Sequence, residues 1–156
     1  MEFKKTIIGA VAAFAITTTM VSAGGHDGNP AVKARNAAMT LYSFSLGTLG
    51  AMAKGEMEYD AAAASAAASN LAAVANLNQM AFWPAGTSNA DIDGTRALPA
   101  IWENTDDVVA IAMKLAEASN ALAATAGDGL EAVQAGLGPV GAECGACHKA
   151  YRAPRN

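Results

Sequence analysis

The chain is short of charge, of aromatic side chains and of cysteine. Charged residues fill 15% of its 156 positions, against roughly 25% in an average soluble domain, which excludes disorder driven by charge. Ten basic residues face 14 acidic ones, for a formal net charge of −4, and that balance excludes nucleic acid as a partner. Two cysteines are too few for a disulfide framework, so their spacing carries more information than their number. Aromatics stand at 6%, while alanine occupies 40 positions. Alanine is the best helix former and a weak strand former, so an all-β fold is excluded and a helical one expected. The length suits one domain.

Residues 1–23 read as a Sec-type signal peptide. Lys4 and Lys5 precede an apolar run over residues 7–21, and Val21-Ser22-Ala23 offers small residues for cleavage after Ala23. The run is shorter than the ~20 residues a bilayer needs, and no other run is expected to span one. The mature domain is then residues 24–156, exported to a bacterial periplasm. Its new terminus, Gly24-Gly25-His26, offers an amine, two amide nitrogens and an imidazole, a set that suits square-planar Cu(II).

Four amphipathic helices are expected. Asn29-Pro30 reads as cap and first position of a helix that runs to Gly55. Its apolar face carries Val32, Arg35, Met39, Tyr42, Leu46, Leu49 and Ala53. Asp60 caps a second helix, reaching Phe82, with Leu71, Val74 and Leu77 on the apolar side before Trp83-Pro84 stops it. A third spans residues 101–126 with Val108, Ile111, Leu115, Ala118 and Leu122 in a stripe. The last carries Leu130, Val133, Leu137, Val140, Cys144, Cys147 and Tyr151, and keeps its phase through Pro139, so a kink is expected there. Short links within each pair predict an all-α, antiparallel four-helix bundle.

Cys144-Gly145-Ala146-Cys147-His148 is the pattern of covalent c-type haem attachment. Helical positions three apart share a face, so both thiols meet one porphyrin edge, and His148 follows as a ligand for the iron. A thioredoxin-like pair needs a βαβ context, and a zinc site needs two further ligands; neither is present. One covalently attached haem c is the expected cofactor.

Arg35 lies on an apolar face and needs a partner for its charge. A haem propionate suits a guanidinium; the alternative is a side chain that snorkels to water. Met39, a turn further on, fits a sixth iron ligand, or packing over an open coordination position. Arg152, four residues past His148 and so expected on the same helical face, is placed beside the haem, or simply favours the helix C-terminus. Trp83 and Trp102 are expected to cap the bundle.

These residues resemble the class II cytochromes c, the cytochrome c′ family. The likeness rests on Cys144-Gly-Ala-Cys147-His148-Lys-Ala-Tyr151-Arg152, on Ala-Val-Lys-Ala-Arg35-Asn36, on Lys54-Gly55-Glu56 with Tyr59-Asp60, and on Arg96-Ala-Leu-Pro99-Ala-Ile-Trp102. It implies His148 as proximal ligand, Arg35 and Asn36 beside the haem, Arg152 as a proximal arginine, and loop residues 95–99 near the propionates. The family divides at the position of Met39, an iron ligand in a low-spin branch and an apolar shield over five-coordinate iron elsewhere. The expected function is a non-enzymatic periplasmic electron carrier with redox protein partners. The alternative is a five-coordinate protein binding NO or CO. A homodimer is a further expectation, since class II cytochromes often pair through their first two helices.

Overall fold

The computed structural model describes residues 28–155, so the signal peptide and Gly24-Gly25-His26 lie outside the described residues. The helices are α1 (Pro30–Ala53), α2 (Ala61–Ala75), the single turn α3 (Ala100–Glu103), α4 (Thr105–Thr125) and α5 (Leu130–Tyr151), with a 3-10 turn at Gln79–Phe82. The four long helices pack in the cyclic order α1, α2, α4, α5, closing on α1. That is the antiparallel four-helix bundle expected of the pattern.

Local chemistry sets the helix starts. The Asn29 carboxamide oxygen accepts from the Ala31 and Val32 amides, and the Asp60 carboxylate accepts from Ala63 N at 2.6 Å. Both satisfy amides that a first turn leaves unpaired.

Three boundaries or faces differ from expectation. α2 ends at Ala75, seven residues before Phe82, because Asn76 turns back. Its Nδ2 donates to Ala72 O and to Asn120 Oδ1, each at 2.8 Å. Leu77 therefore falls outside the helix and is 49% exposed. The third helix is split at Asn104, whose backbone leaves the helical region while its Nδ2 donates to Ala100 O. On α1 the buried line is Val32, Arg35, Ala38, Tyr42, Ser45, Leu49 and Met52. Ala38, Ser45 and Met52 hold positions expected of Met39, Leu46 and Ala53, so the stripe is turned by one residue at three levels. The expected face of α5 holds at every position, and the helix runs unbroken through the exposed Pro139. α4 is long and apolar enough to cross a membrane, against expectation; within the bundle its apolar side packs on α2 and α5.

The main core extends from the end of the bundle that holds the α1–α2 and α4–α5 links to Ala38, Tyr42 and Val140 nearer the other end. Leu49, Ala64, Ala68, Leu71, Leu122, Ala126 and Val133 are closed to solvent within it. Alanine makes α2 thin, and glycine lets α5 approach α4: a Cβ on Gly136 would stand 2.6 Å from Leu122 Cδ1. The opposite end carries the start of α1, the end of α5 and the long segment 76–104.

Candidate functional site

The last two turns of α5 place Cys144, Cys147 and His148 against two different bodies of side chains. Cys144 packs on the main core beside Tyr42's cluster, whereas Cys147 packs on a smaller cluster of Ala97, Ile101 and Tyr151 with Trp83 and Trp102. All three residues are partly buried. Burial raises both thiols above the ordinary cysteine range, which suppresses the thiolate that disulfide exchange needs. His148 is pushed the other way. Burial first, then the charges of Arg152 and Arg96, lower its pKa and hold the imidazole neutral. Neutral imidazole is the form that ligates a metal.

Arg35 stands against Trp83 of the smaller cluster. Its side chain is 4% exposed, which overturns the alternative of a snorkelling cation. Nη1 donates to Thr87 Oγ1 at 2.8 Å and to Phe82 O at 3.4 Å; Nη2 donates to Thr87 O at 2.9 Å and to Thr95 Oγ1 at 3.3 Å. The guanidinium carbon lies 4.5 Å from the centre of the Trp83 ring, a cation–π contact. Among the described residues no carboxylate pairs with it, and burial lowers its pKa. Four of its five N–H groups thus tie α1 to the 82–95 segment. Trp83 and Trp102 meet edge to face at 6.2 Å, and the Trp102 indole donates to Trp83 O at 3.0 Å. The two tryptophans cap the bundle as expected.

Met39 stands at the edge of α1's buried line and is 38% exposed. Asn36 is exposed, its carbonyl accepting from Thr40 Oγ1. Arg152 does not continue the helical face of His148, because α5 ends at Tyr151 and Arg152 is already extended, bridging to Ala97. Its charge reaches His148 from that extended segment. A phenol stands in each of the clusters on which the cysteines pack, Tyr42 with Cys144 and Tyr151 with Cys147. Gln79 Nε2 donates to the Tyr42 hydroxyl at 2.5 Å, and the Tyr151 hydroxyl donates to Asp107 Oδ2 at 2.6 Å. Burial raises Tyr42 to about 12, and the bond to Asp107 raises Tyr151 to about 12.

Sequence reasoning missed Thr87 and Thr95 as partners of Arg35, and Arg96 as a neighbour of His148. Contacts across some fifty residues leave no local signal, although Arg96 stands inside a segment that carried the family likeness.

A helical bundle with two thiols and a neutral histidine on one terminal helix defines a c-type haem protein. The Cytochrome C′ family profile matches residues 30–152. Cytochrome c-554 of Cereibacter sphaeroides is 40% identical over 121 residues, covering 78% of this chain and 91% of that protein. The solved cytochrome c′ from Rhodobacter spheriodes superposes with a TM-score of 0.77 at 42% identity, covering 80% and 96% of the two chains. A second solved cytochrome c′, described as having an unusual ligand-controlled dimer dissociation, gives a TM-score of 0.73 at 35% identity, covering 80% and 95%. The chain belongs to the cytochrome c′ family, and its cofactor is one covalently attached haem c. The donor set fits that group: two protonated thiols three residues apart, facing separate clusters, and a histidine held neutral beside them.

Proposed function

We propose that the protein is a periplasmic electron carrier rather than an enzyme. Haem c supplies a one-electron Fe(II)/Fe(III) couple. Cys144 and Cys147 would hold it by two thioether bonds, and His148 would ligate the iron through its neutral ring. The observation that carries the reading is that two partly buried thiols three residues apart and a histidine beside them share the last turns of α5, with burial and two arginines lowering the histidine's pKa. Arg35 keeps the 82–95 segment in place and would bring a positive charge that favours the ferrous form; the N–H it does not spend on the loop would be available to a propionate. Asn36 and Arg152 complete the surroundings. Family membership supports export, with cleavage after Ala23.

Met39 is the proposed sixth ligand. The ferric protein should show the charge-transfer band of thioether-bound haem, and Met39→Ala should abolish it. A high-spin spectrum in the unaltered protein would refute sulfur ligation. The second reading, an open iron that binds NO or CO, is favoured by one observation: Ala38, not Met39, takes the centre of the buried line on α1. The relative with ligand-controlled dimer dissociation supports a homodimer here, with sedimentation of the mature protein as its test.

A further inference from the structure

Cations gather at one side of the loop end, in a chain whose formal net charge is −4. Backbone pairing brings Arg96, Arg152 and Arg155 together, and Lys149 stands in the last turn of α5. Leu98 N donates to Tyr151 O at 3.0 Å, and Ala153 N donates to Arg96 O at 2.9 Å. The Arg96 guanidinium folds onto Ala153 O, with Nε at 2.8 Å. Arg96 thus lies alongside residues 152–155, and Arg152 and Arg155 add to burial in lowering its pKa. Lys149, Arg152 and Arg155 are exposed. Among the described residues none of the three arginines forms an ion pair. One ion pair among the described residues, Lys54 with Glu56 at 4.0 Å, sits at the far end of the bundle. Like charges assembled without a counter-ion raise the local potential and call for an anionic partner. The cluster adjoins Cys147 and His148, where an electron would leave. Asp106 and Asp107, in the first turn of α4, border it, with Asp107 engaged by Tyr151, so the patch is bounded and oriented.

We propose that Arg96, Lys149, Arg152 and Arg155 form the docking surface for an acidic electron-transfer protein, one that carries carboxylates around its own redox centre. The proposal rests on the carrier reading above. It opposes what the whole-molecule charge would give, since a net negative protein repels such a partner on average.

The test uses the haem-loaded mature protein in its ferrous form. One electron passes from it to hexacyanoferrate(III), an anion, giving hexacyanoferrate(II). In parallel, one electron passes to the cationic tris(phenanthroline)cobalt(III), giving the cobalt(II) complex. Rates are read from about 10 mM to about 300 mM ionic strength, a range over which screening closes in to a few ångströms. The docking surface predicts that the anionic oxidant slows several-fold as salt rises, and that Lys149→Glu with Arg155→Glu reverses the slope. Lys54→Glu with Lys114→Glu changes the net charge equally and should keep the original slope. An anionic rate that rises with salt in the unaltered protein overturns the proposal, as does a slope that both double variants shift alike. Failure to exchange electrons with either oxidant at any salt refutes the carrier reading itself, and the docking surface with it.

Discussion

The two ends of the bundle are held by different physics. At the linked end, helices meet through alanine, glycine and leucine. Leu49, Leu71, Leu122 and Val133 are sealed, and the geometry follows from how closely backbones approach. At the loop end, Arg35, Thr87, Thr95 and the tryptophan pair replace close packing with directed hydrogen bonds, and Cys147 packs against the tryptophans while Cys144 faces the main core. The dry end gives the bundle its stiffness. The polar end gives a site its shape and its charge, which alanine packing alone could not supply.

The sharpest break between the two ends should come from Cys144→Ala with Cys147→Ala. Covalent haem should disappear from denaturing gels, and hydrogen exchange should rise at residues 82–99 while changing little around Leu71. Retention of a haem-stained band would show that attachment lies elsewhere.

Next in size are single changes at each end. Leu122→Ala leaves a cavity against Gly136 and should cost about 2–5 kcal/mol of unfolding free energy, with the site's spectrum unchanged. Arg35→Leu strands the acceptors on Thr87, Thr95 and Phe82 and should cost about 3 kcal/mol. It should also shift Trp83 emission and lower the reduction potential. Equal spectral effects from both variants would erase the distinction between the ends.

The sequence disclosed the dry end and the attachment motif better than the loop. Asn29 and Asp60 announced their helices because a cap acts on amides two or three residues away. The α5 face was readable because helical period and burial agree from Leu130 to Tyr151. The end of α2 was not, since Asn76 is held partly by Asn120 on another helix. Neither were the partners of Arg35, which lie on a segment with no period of its own. Arg152 was misplaced for a related reason: its pairing with Ala97 ends the helix that its spacing from His148 suggested.

A smaller effect separates the ends by pH. Tyr42 has a pKa raised from 10.0 to about 12, chiefly by burial. The folded state keeps a proton that the unfolded chain releases. Its contribution is therefore complete below pH 10 and lost as pH rises through about 12. Alkaline unfolding should be shallower over that window in Tyr42→Phe, with the remaining slope due to Tyr151. An unaltered slope would place Tyr42 in water.

Smallest is Ser119→Ala. The Ser119 hydroxyl is closed to solvent without a hydrogen-bond partner among the described residues. Removing it should raise stability by up to about 1 kcal/mol. A loss of stability would mean that a buried water completes its bonding.

The most direct measurement is a potentiometric titration of the mature, haem-loaded protein with and without carbon monoxide. A carrier with Met39 on the iron predicts one reversible one-electron wave whose midpoint is the same in both gases. An open iron would bind carbon monoxide in the ferrous state and raise the midpoint, and that result would contradict the account.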